Sequence, residues 1–337
     1  MFGTELPIVQ APMAGVQGSG LAIAVSEAGG LGSLPCAMLT ADGIREELAR
    51  IRARISKPFN VNFFCHTQPD PDDAREAAWR AVLAPYYAEL GIETPKTGGP
   101  LRLPFDAAAA AIIAELRPPI VSFHFGLPSE TLLGHVRTSG ARIIASATTV
   151  EEARWLEQHG VDAIIAQGVE AGGHRGMFLS EDVTTQIGTF ALVPQIVRAV
   201  SVPVIAAGGI ADAAGVRAAL ALGATAAQVG TAYLLCPETT TTPLHRAALA
   251  SERAQHTAVT NVFSGRPARG IVNRIVRELG PMRSDIPRFP LASVGVMPLR
   301  AAAEAQGRDD FSPLWSGQNA SGCRTIPAGE LTRELAR

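Results

Sequence analysis

The strongest constraint on this chain is a rhythm. Short apolar runs alternate with amphipathic helical patterns from residue 6 to residue 234, and eight such runs can be counted. They fall at 6–13, 31–35, 58–64, 120–126, 142–147, 162–166, 202–209 and 226–234. Most are continuous apolar stretches without period-two alternation, the pattern of parallel strands buried on both faces. Helical patterns at 19–28, 40–55, 106–117, 129–139, 149–159, 189–200 and 212–222 separate most of them. Strands alternating with helices read as βαβ units, and eight of them predict an α/β fold of the (β/α)8 barrel type, with catalytic groups at the strand C-termini. An open doubly wound sheet is the competing architecture. Its dinucleotide-binding form needs G-x-G-x-x-G in the first βα turn, and Ala11-Pro12-Met13-Ala14-Gly15 lacks it.

Two stretches break the rhythm. Residues 66–105 carry six prolines and are expected to hold a helix near 71–90 and then an irregular excursion over the barrel. Residues 236–337 follow the last strand, with helices expected at 243–255, 268–279 and 297–306. The expected organisation is therefore a barrel over 1–235 and a mostly helical C-terminal segment over 236–337, packed near the barrel mouth.

Composition narrows the function classes. The 337 residues are 47% apolar and 18% charged, too apolar for a disordered chain. A formal net charge of −2 and the lack of a long basic run give nucleic-acid binding no support. The four cysteines are widely spaced, without a CxxC pair for zinc. No histidines and carboxylates stand at metal-ligand spacing and no G-x-S-x-G elbow is present, so no metal site is expected. No stretch is long and apolar enough to span a bilayer and no signal peptide is visible, so no membrane association and a cytoplasmic location are expected.

The strand C-termini would all face one mouth. Gly208 and Gly209 end one strand; Gln228, Val229, Gly230 and Thr231 end the next. Glycine N–H groups there suit a phosphate, although glycines used for tight αβ packing would look the same. Without a Walker motif or a Lys/Arg cluster nearby, the phosphate fits a held cofactor better than a transferred group. Asn62 and Gln167 are amides at the ends of apolar strands. They could face a flat heterocycle such as a flavin, or be satisfied by neighbouring loop backbone. Ala11, Pro12 and Met13 would give the ring an apolar floor.

The stretch Gln167 to Gly176 holds four glycines and one histidine. Glycine lets the backbone adopt φ > 0 and approach a ligand closely, so this stretch reads as a site built around His174. Histidine suits general-base work near neutral pH. His124, between two phenylalanines, reads as a pocket-wall residue, and Ser146 as a second wall residue. His66, His135, His159, His245 and His256 read as solvated.

These residues resemble the nitronate monooxygenase family, formerly called 2-nitropropane dioxygenase. The similarity runs along nearly the whole chain. It includes Ala11-Pro12-Met13-Ala14-Gly15, Asn60-Val61-Asn62-Phe63-Phe64, Ser122-Phe123-His124-Phe125-Gly126 and Glu170-Ala171-Gly172-Gly173-His174-Arg175-Gly176. Pro203 through Ile210, Gln228-Val229-Gly230-Thr231 and Leu314-Trp315-Ser316-Gly317-Gln318 complete it. The resemblance implies a barrel flavoprotein with non-covalent FMN held by Asn62, Gln167, Gly172, Gly209 and the run Gln228 to Thr231. It implies that His174 is the catalytic histidine and that an alkyl nitronate is oxidised by O2 to a carbonyl compound and nitrite. His174 would remove the α-proton of a neutral nitroalkane, and would orient or charge-stabilise a substrate that is already an anion. The chain departs from relatives whose C-terminal lid places tyrosines and a lysine at the site: Phe289 to Arg300 contains neither. The alternatives are an FMN-dependent, NAD(P)H-using quinone or enoyl-thioester reductase on the same scaffold, a non-redox phosphate-site barrel, and a non-enzymatic flavin-binding protein. Partners are expected to be small molecules and O2, with a homo-oligomer left open.

Overall fold

A computed structural model describes residues 2–95 and 102–337. The proline-rich excursion is thus described except for 96–101, and its Pro100 lies outside the described residues. The barrel begins with β1 (Ile8–Gln10), α1 (Ser19–Glu27), β2 (Gly32–Pro35), α2 (Ala41–Arg54) and β3 (Phe59–Phe64). After α3 (Asp73–Leu90) it resumes with α4 (Ala107–Leu116), β4 (Ile120–His124), α5 (Glu130–Thr138), β5 (Arg142–Ala147), α6 (Val150–Gln158) and β6 (Ala163–Gln167). A two-residue strand β7 (Gly173–His174) precedes α7 (Thr189–Ala199), β8 (Val204–Ala207), α8 (Ala213–Ala221) and β9 (Ala226–Val229).

Eight strands form one parallel sheet in the order β1-β9-β8-β6-β5-β4-β3-β2. The ring closes where the Gln10 N–H donates to the Leu31 carbonyl at 2.9 Å and the Leu31 N–H to the Ile8 carbonyl at 2.8 Å. The helices start where the sequence supplies caps: the side chains of Thr40, Asp106, Thr149 and Asp212 each accept an N–H of the first turn.

Strand parity explains both the apolar runs and the site. Ile164, Ala166, Val204 and Ala206 face the helices in the outer core. Ala163, Ile165, Ile205, Ala207 and Ala226 fill the barrel interior. Two-residue alternation then points Gln167 and Gln228 inward, one step beyond the apolar plug. On the other side of the barrel the inward positions are polar. Asn60 Nδ2 donates to Ser33 Oγ at 3.1 Å and to Ser122 Oγ at 2.9 Å.

A second core lies outside the barrel. Trp79, Leu83 and Tyr87 of α3 pack with Val262, Ile275, Val296, Leu299 and Phe311 of the C-terminal segment. Trp79 Nε1 donates to the Ala292 carbonyl at 3.1 Å, and the Tyr87 hydroxyl to that of Gly295 at 2.6 Å. The excursion and the chain beyond β9 therefore build one cap together.

The cap corrects the expected helices. The stretch 268–279, expected as one helix, is a strand, β11 (Ala268–Ile271), followed by a shorter helix at Arg274–Leu279, and β10 (Thr257–Thr260) precedes it. The helix expected at 243–255 is α9 (Pro243–Leu249) and then a separate turn, Glu252–Gln255; α10 is Arg274–Leu279 and α11 is Ala292–Ala305. β10, β11 and β7 make a three-stranded antiparallel sheet. A run of four residues leading into a helix carries too little period to separate the two states. A further helix, α12 (Ala328–Leu335), returns to the outside of the barrel against α1 and α8, and the Tyr233 and Thr332 hydroxyls bond there at 2.9 Å.

Candidate active site

The strand ends open into a cavity of about 190 Å³ between barrel and cap. Ala11, Pro12, Met13, Asn62, Gln167, Gly172, Gly208, Gly209, Gln228, Gly230 and Thr231 line it, and so do His124, Ser146 and His174. Val229 does not: its side chain is 1% exposed and faces the helices, as parity requires.

His174 is placed by the cap as much as by the barrel. It pairs with Ala268 in β7–β11, so the glycine-rich stretch is a strand edge there rather than an open loop. Gly173 has φ +73°, which suits glycine, and Gly172 crosses so close to the cap that a Cβ would stand 2.5 Å from the Gly317 nitrogen. Two barrel residues hold the His174 carbonyl: Gln167 Nε2 donates at 3.0 Å and His124 Nε2 at 3.1 Å. A carbonyl only accepts, so His124 carries its proton on Nε2. Its Nδ1 then accepts from Ser146 Oγ at 3.1 Å. His124 and Ser146 thus line the cavity and also brace the neighbouring strand. Gln167 is satisfied by local backbone on both sides, since its Oε1 accepts the Gly176 N–H at 2.7 Å. Arg175, wholly buried, donates to the Gln167 carbonyl at 2.7 Å and to Gln186 Oε1 at 2.9 Å.

The His174 ring has one polar partner, Ser264 Oγ, 2.9 Å from Nε2. Ser264 Oγ also lies 3.3 Å from the Arg266 carbonyl, which can only accept. With the hydroxyl proton directed to that carbonyl, Oγ receives the His174 Nε2–H and the free lone pair lies on Nδ1; with the proton turned to Nε2 along the shorter contact, Nδ1 carries the ring N–H. Phe289, Trp315 and Phe125 surround the imidazole at centroid distances of 5.3, 5.4 and 6.0 Å. Burial pushes the His174 pKa well below its usual value, and Arg102, His124, Arg266 and His66 add to the effect. The ring is therefore neutral at physiological pH, the form a general base requires. Burial also lowers His124 to about 3, and His66 and His245 to about 4.

His66 and His245 are buried, not solvated as expected. His66 Nε2 donates to the Arg102 carbonyl at 3.0 Å and His245 Nε2 to that of Trp315 at 3.1 Å. Arg102, Ser264, Phe289 and Trp315 escape a reading of the strand ends because the cap supplies them. The only sequence signal was the Leu314-Trp315-Ser316-Gly317 run.

The wall of the same cavity also holds unmet polar groups. Gln228 Oε1 is buried without a hydrogen-bond partner. Among the described residues the N–H groups of Gly209, Gly230 and Thr231 also have none. Gly208 and Gly209 have φ of +122° and +71°. Thr231 Oγ1 is turned to the cap, where it accepts the Gly317 N–H at 2.9 Å. Among the described residues no three His, Cys, Asp or Glu side chains are grouped to hold a metal ion, and no helix is long and apolar enough to cross a membrane.

The whole chain is similar to known proteins. The family model for nitronate monooxygenase matches residues 1–337. The chain belongs to the nitronate monooxygenase family. A nitronate monooxygenase of Paraburkholderia phytofirmans is 45% identical over 340 residues, covering 100% of this chain and 93% of that protein. A nitronate monooxygenase of Pseudomonas aeruginosa is also 45% identical, covering 99% and 96%. Among solved structures, a nitroalkane oxidase from Streptomyces ansochromogenes superposes with a TM-score of 0.90 at 42% identity, covering 99% of this chain and 95% of that one. FabK from Thermotoga maritima is more distant, with a TM-score of 0.74 at 28% identity over 98% of this chain and 92% of that one.

Proposed function

We propose that this chain oxidises alkyl nitronates with O2 to carbonyl compounds and nitrite, using FMN held in the mouth cavity. The observation that carries this reading is a neutral, Ser264-bonded His174 lining the same cavity as a set of unmet donors and acceptors. The residues present fit a flavin mononucleotide. Gln228 Oε1 is a buried acceptor in need of a donor, which the ring's imide edge offers. The free N–H groups of Gly209, Gly230 and Thr231 suit a phosphate. Asn62, with its Nδ2 committed to Ser122 Oγ at 2.9 Å, would offer its carbonyl oxygen, and Ala11, Pro12 and Met13 an apolar surface. Gly172 belongs to this group by position, although its missing Cβ is already required by Gly317. When bound, FMN would accept electrons from the substrate and pass them to O2.

His174 would take the α-proton of a neutral nitroalkane on Nδ1, and would orient a substrate that arrives as the anion. Phe64, Phe289 and Trp315 pack around the imidazole at centroid distances of 6.5, 5.3 and 5.4 Å. A reductase using NAD(P)H is the competing reading, on the likeness to FabK. Purified protein mixed anaerobically with an alkyl nitronate should lose its flavin absorbance quickly, and only slowly with NADH. Rapid bleaching by NADH with no response to nitronate would overturn the proposal. Mass analysis of the released chromophore should give FMN.

A further inference from the structure

The cavity wall contains one cationic side chain outside the histidines and no carboxylate among the described residues. That cation is Arg102, at the end of the proline-rich excursion. Its backbone is pinned, because His66 Nε2 and Gln68 Nε2 both donate to its carbonyl, at 3.0 and 2.8 Å. Its guanidinium is not: it makes no hydrogen bond or ion pair among the described residues. It lies over the Phe289 ring, 5.9 Å from the centroid. The same ring packs 5.3 Å from the His174 imidazole, so base and cation border one space.

The other buried arginines nearby are committed elsewhere. Arg175 bonds Gln186 and Gln167, and Arg269 bonds the Val169 carbonyl at 2.8 Å. Arg266 donates to the Met177 carbonyl and stacks on Phe125 at 4.1 Å. Only Arg102 combines access to the cavity with five unspent donors.

We propose that Arg102 is the residue that recognises the anionic oxygens of the substrate and sets the preference for a nitronate over its neutral parent. The inference rests on the nitronate reading of the site. Its physical basis is a division of labour. His174 is neutral and can take a proton but cannot supply positive charge. A guanidinium presents a planar fork that matches a two-oxygen anion. In a cavity screened by Phe289 and Trp315 its attraction for that anion is weakened little by water or salt.

The test uses the full-length, flavin-loaded protein and its Arg102→Gln and Arg102→Lys variants. For an alkyl nitronate, R102Q should raise KM by about ten- to a hundredfold, the scale of one charged hydrogen-bonded contact, with kcat little changed. For the neutral nitroalkane, KM should scarcely move, and R102K should recover part of the nitronate affinity. An equal rise for both substrates, or no rise for either, overturns the proposal. Calorimetric titration with nitrate, a planar and unreactive anion, separates this inference from the functional one. Wild type should bind nitrate and R102Q should not. If wild type turns over no nitronate yet its nitrate binding depends on Arg102, the functional reading fails and the anion site stands. If nitronate turnover is robust and neither nitrate binding nor KM responds to R102Q, the anion site fails and the functional reading stands.

Discussion

The two halves of the cavity are built by different rules. The barrel half is set by strand parity: an apolar plug below, then amides and glycines one step nearer the mouth. Its groups are held by backbone and by short side chains such as Ser122, Ser146 and Asn62. The cap half is set by long-range crossings. His174 is fastened to Ala268, Ser264 and, through its neighbour Gly172, to Gly317, residues roughly 90 to 145 positions away. On the proposed function the barrel half would hold the flavin, and the cap half would supply the groups that act on a transient substrate. Separating holding from reacting in this way lets the reactive side vary while the cofactor side stays fixed.

The sharpest way to break that division is His174→Ala. It should lower kcat/KM for a neutral nitroalkane by roughly 10²- to 10⁴-fold, the usual contribution of a placed general base. Cofactor content should stay at the wild-type level and nitronate turnover should suffer less. Loss of bound flavin, or equal losses for both substrates, would show that His174 serves the barrel half too. Because the base is neutral in the folded protein, the acid limb of the wild-type nitroalkane profile should lie below pH 6.5.

Next in size is the crossing at Gly172. Gly172→Ala places a methyl against the backbone of Ser316 and Gly317, which cannot swing aside as a side chain can. The expected cost is about 1–3 kcal/mol of stability, typical of overpacking, read as a lower thermal midpoint. Gly134→Ala is the control: nothing lies within 4 Å and the site is inside α5, so it should stabilise by roughly 0.5–1 kcal/mol. If G172A matched the control, the cap would be free to move relative to the barrel and the tight coupling described here would be wrong.

The same contrast explains what could be read from the sequence. The eight strands were legible because most are near-continuous apolar runs, and Gln167, Gln228 and Asn62 were legible as amides towards the C-terminal ends of such runs. The family resemblance added the reaction. Four things were hidden. Two residues, Gly173 and His174, are too few to declare a strand, and their partners Arg269 and Ala268 sit in a segment that reads as helix. Ser264 is 90 positions from the imidazole it orients, with no local pattern to link them. Arg102 lies among prolines that signal only irregular backbone. The polar belt inside the barrel at Ser33, Asn60 and Ser122 was likewise masked, because isolated small polar residues in apolar runs look incidental until parity aligns them.

Ser264→Ala is a finer probe of the cap half. It removes one acceptor and frees the imidazole to rotate or change tautomer, without touching any barrel residue. Nitroalkane kcat should fall about tenfold, in line with one hydrogen bond of ~1–1.5 kcal/mol. Flavin content and the thermal midpoint should hardly change, and Ser264→Thr should restore most of the rate. An unchanged rate in S264A would remove the tautomer assignment on which Nδ1 was chosen as the base.

The smallest expected effect near neutral pH tests the barrel half. His124 is buried, donates Nε2–H to the His174 carbonyl and is pushed down to about 3. Its folded pKa lies below its unfolded one, so the unfolded chain binds the extra proton first. Stability is therefore complete above about pH 7, where both states are neutral, and is lost as pH falls through 6.5 towards the folded value. The loss from this one residue should be under ~1 kcal/mol at pH 6 and then grow by up to ~1.4 kcal/mol for each further unit. His124→Gln keeps an N–H donor for the carbonyl but cannot titrate. Its unfolding free energy, followed by denaturant titration from pH 7.5 to 4.5, should decline less steeply than that of wild type. Parallel slopes would mean that His124 is not held neutral. The brace between barrel and His174 would then have to rest on Gln167 alone, whose amide has no charge to lose.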